Sequence, residues 1–195
     1  MLVHSKIIGE GKPLLILHGF LGMGDNWKTL ANKFSQDGYQ VHLVDQRNHG
    51  RSFHDTNFSY EFMASDLLMY ADHHHLEDFI LLGHSMGGKT AMEFATTNPE
   101  RASKLVVADI SPKSYPEHHQ DILKSLSLLD FKDVKTRRQA DKVLAEYIPE
   151  IGTRQFLLKN LYWKEKDVLG LRMNLPVLID NIKEVGKALK ENAVF

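Results

Sequence analysis

Cysteine is absent from this 195-residue sequence, which excludes a disulfide framework, a thiolate nucleophile and any cysteine metal site. No run of about 18 apolar residues occurs, so no helix is expected to span a bilayer. The N-terminal MLVHSKIIGEGKPLLILHGF lacks a basic stretch leading into a long apolar core and a small-residue cleavage site, so no secretory signal is expected. Neither sign of charge is in excess: 24 Lys and Arg stand against 25 Asp and Glu, a formal net charge of −1. That balance offers no general attraction to nucleic acid or to an anionic membrane surface. There is no internal repeat and no low-complexity tract. These absences point to a cytoplasmic globular protein of one domain, or one domain with an insertion.

Short apolar runs alternate with helical spacing through the first 110 residues. HSKII, then the turn GEGK, then PLLILHG read as an antiparallel first strand, a turn and a buried strand. YQVHLVD, FILLGHS and KLVVADI are further runs rich in Val, Ile and Leu, the pattern of strands buried on both faces of a parallel sheet. Between them, Trp27, Leu30, Ala31 and Phe34 share a helical face, and Ser59 precedes a second helical pattern as a plausible N-cap. A third helix follows Ser85 and stops before Pro99. The expected fold class is therefore α/β, with a mostly parallel sheet. From residue 111 onward the sequence shows four helical stretches and no convincing strand. A core over 1–110 and a helical lid over 111–190 are expected.

The segment Gly83-His84-Ser85-Met86-Gly87 is a G-x-S-x-G pattern between a predicted strand and a predicted helix, the setting of a nucleophile elbow. Side chains two residues either side of a serine at such a sharp apex would collide, hence the glycines. The bland alternative is a glycine-rich turn with an incidental serine. A second element, His18-Gly19-Phe20-Leu21-Gly22, follows the PLLIL strand. Acyl transfer needs backbone N–H donors aimed at the developing oxyanion; Met86, after the serine, and Phe20, on this loop, are placed to give them. His18 reads as a structural histidine bonding the loop. Asp109 ends KLVVADI, at the sheet edge where sites form in open α/β folds, and could orient a histidine shared with Ser85. A turn or capping aspartate explains it equally well. Asp45, with Arg47, Gly50 and Ser52, reads as a structural turn with an internal ion pair.

A triad in this order needs its histidine after Asp109, where only His118 and His119 occur, at the start of the lid region. His73, His74 and His75 are consecutive, point to different faces, and read as a solvated helix end and not a metal site. His4, His42, His49 and His54 carry no supporting pattern.

The stretches HGFLGMGDNW, DQRNHGRS, GHSMGGKTAM, VADISPKSYPEHHQDIL, GTRQFLLKNLYW and RMNLPV resemble the α/β-hydrolase superfamily, and within it the YbfF-type esterases. The resemblance covers nearly the whole chain. It implies hydrolysis of carboxylic esters, with acyl-CoA thioesters as a further substrate class, no metal and no organic cofactor. It implies Ser85 as nucleophile, Asp109 as acid, and Phe20 and Met86 as oxyanion donors. In that family two more strands and a helix follow the lid, with the catalytic histidine on a loop after the last strand. This sequence stops at KENAVF, so the fold is expected to lack its last strands and the chain alone to turn over little. A non-catalytic module binding an acyl group or another small molecule is the alternative expectation. Lid residues Phe156, Leu157, Leu161, Tyr162 and Trp163 are expected over an acyl pocket, or else in an ordinary helix core.

Overall fold

A computed structural model describes residues 1–117 and 119–190. Five strands form one sheet: β1 (Ser5–Ile8), β2 (Lys12–Leu17), β3 (Tyr39–Val44), β4 (Phe79–His84) and β5 (Ala102–Ala108). Their order is β1-β3-β2-β4-β5. All pairings are parallel except the first strand, which runs antiparallel to β3. The expected mostly parallel sheet is therefore present.

Successive side chains of a strand point to opposite faces, and the apolar runs divide accordingly. Leu15 and Leu17 of β2, with Phe79 and Leu81 of β4, pack against α2 (Tyr60–His73) and α3 (Met86–Thr97) through Leu67, Tyr70, Ala91 and Phe94. Leu14, Ile16 and Ile80 face the other way, onto Ala31, Trp27 and Phe34 in and just before α1 (Lys28–Gln36). Ser59 does cap α2: its hydroxyl accepts from the Phe62 N–H at 3.4 Å. In the β4–β5 ladder His84 lies opposite Ala108, so the residues that follow them leave the sheet side by side.

Beyond β5 the chain forms α4 (Gln120–Ser127), α5 (Arg137–Ala145), α6 (Ile151–Leu158), α7 (Leu175–Asp180) and α8 (Ile182–Gly186). It also contains a hairpin that corrects the all-helical expectation: β6 (Leu161–Glu165) pairs antiparallel with β7 (Val168–Leu171). Phe156, Leu157 and Leu161 fit a helical period, but the helix ends at Leu158 and the aromatic-rich LYW favours an extended strand. Asp167, at φ +62°, makes the turn. This whole region seats on the sheet's C-terminal end through one apolar cluster. Phe20, Leu21, Tyr60 and Met86 contribute from below, and Leu126, Leu144, Leu158 and Leu178 from above. It is called the cap below. Among the described residues, no helix is long and apolar enough to cross a membrane.

The 45–52 turn also differs from expectation. Arg47 does not pair with Asp45. Its guanidinium forks onto the Asp66 carboxylate of α2 at 2.6 and 2.7 Å, a pairing of residues remote in sequence. Asp45 instead accepts from the Gly24 and Arg51 N–H groups at 2.6 and 2.8 Å.

Candidate active site

Ser85 is the single residue between β4 and α3, with φ 51° and ψ −119°. Holding a serine there costs on the order of 1–3 kcal/mol, and such strain collects at functional sites. Its surroundings impose the geometry. The Ser85 N–H donates to the Ala108 carbonyl at 3.0 Å, while its own carbonyl accepts from the Gly88 and Lys89 N–H groups. A Cβ on Gly83 would stand 2.2 Å from the Gly87 carbonyl oxygen, and one on Gly87 would stand 2.4 Å from that of Leu17. Gly83 is thus required by the collision expected from the sequence, while Gly87 is required by the close approach of the β2 strand end.

The 18–22 loop lies across from this elbow. The Gly22 N–H closes a turn onto the Gly19 carbonyl at 3.0 Å, with Leu21 at φ +60°. His18 Nε2 accepts from the Gln46 N–H at 3.0 Å, which leaves the proton on Nδ1 to donate to the Gly19 carbonyl at 2.9 Å. Carbonyl and N–H point oppositely across a trans peptide. Fixing the Gly19 oxygen therefore fixes the direction of the Phe20 N–H, and no acceptor among the described residues reaches that N–H. Met86 supplies the first N–H of α3, which has no intrahelical acceptor and sits at the positive end of the helix dipole. Burial, reinforced by nearby His84, pushes the His18 pKa down to about 4 against the favourable bond to Gly19. The ring is neutral, as its hydrogen bonds require.

A second buried histidine, His49, was not distinguished by any sequence pattern. Its Nε2 accepts from the Leu21 N–H at 3.3 Å and its Nδ1 donates to the Arg47 carbonyl at 2.9 Å. Burial first, and His18 second, push its pKa down to about 3.

Asp109 leaves β5 beside Ser85, also in the left-handed region at φ +58°. Its carboxylate is 86% exposed and lies 3.7 Å from His84 Nε2, a neighbour that no sequence pattern marks. Of the six non-glycine residues with positive φ among those described, Leu21, Asn48, Ser85 and Asp109 all belong to these loops. His119 lines the cleft with its ring 5.1 Å from that of Phe20; His118 lies outside the described residues. His73 and His75 are exposed at the end of α2. Between them, His74 packs on Tyr70 at 4.4 Å between ring centres.

The cleft itself has a volume of about 430 Å³. Ser85, His84 and the 19–22 loop form its floor, and Trp27, Leu30 and Phe156 form apolar walls. Of the five cap residues expected over a pocket, Phe156 alone lines it. Leu157 is buried in the apolar cluster, Leu161 packs against that cluster, Tyr162 lies under the Arg172 guanidinium and Trp163 is 59% exposed. Among the described residues, no group of His, Asp or Glu could hold a metal ion.

Residues 12–145 match a family model described as alpha/beta hydrolase fold. Over 177 residues the chain is 34% identical to esterase YbfF of Escherichia coli, covering 90% of this chain and 67% of that protein. It is 34% identical over 184 residues to the sn-1-specific diacylglycerol lipase ABHD11 of Danio rerio, covering 91% of this chain and 58% of that one. A solved structure described as a marine microorganism esterase superposes with a TM-score of 0.94 at 40% identity, over 97% of this chain and 75% of that one. The chain thus spans less than two thirds of the length of some curated relatives, 58% for the Danio protein and 59% for one from Haemophilus influenzae.

Proposed function

Because the chain belongs to the α/β-hydrolase fold family, alongside the YbfF-type esterases, we propose that it carries the nucleophile, oxyanion donors and acid of a serine hydrolase of carboxylic esters. The observation that carries this reading is Ser85: a strained serine, alone between strand and helix, in a cleft with apolar walls that Phe20 also lines, and followed directly by the first N–H of the helix. In the proposed reaction Ser85 Oγ attacks the acyl carbon and its proton passes to a histidine oriented by Asp109. The Phe20 and Met86 N–H groups receive the oxyanion, each worth roughly 2.7–4 kcal/mol in the transition state. The alcohol leaves with the histidine's proton, and water then cleaves the acyl-serine. Neither His18 nor His49 can be that base, since both nitrogens of each ring are already engaged. The resemblance to YbfF-type esterases assigns the base to a loop following the cap.

In a full-length version that includes the loop following the cap, a fluorophosphonate probe is expected to label Ser85 and no other serine, read by peptide mass spectrometry. Absence of labelling in folded protein sinks the proposal and favours a non-catalytic binding module. The same attack would open acyl thioesters, and comparing p-nitrophenyl butyrate with butyryl-CoA as substrates separates those classes. The apolar wall assigns the acyl chain to Trp27, Leu30 and Phe156. Truncating Phe156 to alanine is expected to raise KM for p-nitrophenyl hexanoate by about three- to tenfold, with kcat within about twofold. That pattern follows from losing ground-state and transition-state contact equally. An unchanged KM would remove Phe156 from the acyl site.

A further inference from the structure

The 18–22 loop is held by a residue that does not belong to the sheet. Asn160, at the junction of α6 and β6, donates from Nδ2 to the Leu21 carbonyl at 2.9 Å across 139 positions of sequence. The other Nδ2 hydrogen is taken by the Leu157 carbonyl at 3.2 Å. The asparagine's own backbone is anchored on both sides, by its N–H to Leu157 and by the Arg172 N–H to its carbonyl. The side chain is therefore a rigid arm reaching down from the cap. It meets Leu21 on the carbonyl side while His49 holds the N–H of the same residue.

Leu21 is the left-handed residue of the turn that the Gly22 N–H closes onto the Gly19 oxygen. If its carbonyl is released, the Leu21–Gly22 peptide, whose N–H closes the turn, loses the bond that holds its oxygen. The Gly22 N–H belongs to that same peptide and bonds the Gly19 oxygen, so the Gly19–Phe20 peptide then keeps His18 as its one partner held independently of the turn. We infer that Asn160 is a positioning residue for the oxyanion hole, through which seating of the cap fixes the direction of the Phe20 N–H. This rests on the ester-hydrolase reading of Ser85 and Phe20 given above.

One detail argues against a purely structural role. Asn160 is 1% exposed, and its Oδ1 is buried without a hydrogen-bond partner among the described residues. A residue kept for stability would satisfy both ends of its amide or be apolar, since an unmade buried hydrogen bond is destabilising. Leucine has nearly the same shape, removes the unpartnered oxygen and deletes the donor to Leu21, while the Leu157 carbonyl, which also loses Nδ2, keeps the Asn160 backbone N–H.

The test compares the parent enzyme with Asn160→Leu and Asn160→Ala. For both variants kcat for p-nitrophenyl butyrate is expected to fall about 10- to 100-fold, the usual effect of a small misplacement in a reacting geometry. KM should stay within about threefold. Affinity for butylboronic acid, which forms a tetrahedral anion on the serine, should fall by the same factor as kcat. The melting temperature of Asn160→Leu should stay near that of the parent. Unchanged kcat and boronate affinity in folded variants would overturn the inference, as would a loss confined to KM or to melting temperature. A parent whose Ser85 takes up neither fluorophosphonate nor boronate would overturn the hydrolase reading itself, and that outcome is recorded before any variant is measured.

Discussion

Replacing Ser85 with alanine is expected to lower kcat for ester hydrolysis by roughly 10⁴- to 10⁶-fold, the loss typical when a serine nucleophile that acts as a unit with its partners is removed. The fold should survive the change. The backbone bonds that impose φ 51° on this position run from its N–H to Ala108 and from its carbonyl to Gly88 and Lys89, and alanine keeps them all. The hydroxyl contributes nothing to the cap of α3, since Ser85 makes no side-chain capping bond there. The expected pairing is therefore near-total loss of turnover with an unchanged melting temperature and an intact cleft. Steady-state hydrolysis of p-nitrophenyl butyrate and a thermal melt of the same preparation check both. A Ser85→Ala enzyme within tenfold of the parent would mean that the nucleophile lies elsewhere.

Stability is expected to fall steeply as pH drops below about 6.5. Unfolded histidine titrates near 6.5, but burial depresses His18 to about 4 and His49 to about 3. Between those values the unfolded chain binds more protons than the folded one, so the stability these rings contribute is complete above 6.5 and lost on acidification. At pH 5 each amounts to about 2 kcal/mol, and the pair to about 4 kcal/mol. That is a large share of the ~5–15 kcal/mol that holds a typical domain together. Protonating either ring also removes the lone pair that accepts from the Gln46 or Leu21 N–H, so the 18–22 loop is the first place the loss is felt. Burial also depresses His42 to about 4, so urea unfolding at pH 7.5 and 5.0 should show a drop at least this large, and His49→Gln should reduce it by about 2 kcal/mol. Equal stability at the two pH values would contradict it.

The parts of this architecture legible in the sequence are those in which the constraint is local. The elbow is written in five consecutive residues, and the collision that demands Gly83 acts on Gly87 within them, although the one that demands Gly87 comes from the distant backbone of Leu17 and His18. β2, β3 and β4 are legible because sheet burial on both faces leaves continuous apolar runs, whereas β5, read the same way from KLVVADI, is a largely exposed edge strand. Phe20 and Met86 could be proposed as donors because each lies close after a strand end, three residues past Leu17 and two past His84. What stayed hidden depends on distant partners. Arg47 lies beside Asp45 in sequence but folds onto Asp66. His49 and Asn160 mean nothing until Leu21 is brought between them, 28 and 139 positions away. The β6–β7 hairpin was masked for another reason. Its first strand continues the apolar spacing of α6, so periodicity gave no sign of where the helix ended.

The bond from the Ser85 N–H to the Ala108 carbonyl is the last rung of the β4–β5 ladder, and a ladder counts. One residue inserted inside β5 would slide Asp109 by about 3.3 Å and turn it to the opposite face of the sheet. The same residue added to the 98–101 connection, upstream of the first rung, would leave the phase untouched. The spacing between serine and aspartate along the chain is thus free to drift, while the number of residues each strand contributes after pairing begins is not. Sequence comparisons that align these proteins by loop length will misplace Asp109; alignment by strand register will not.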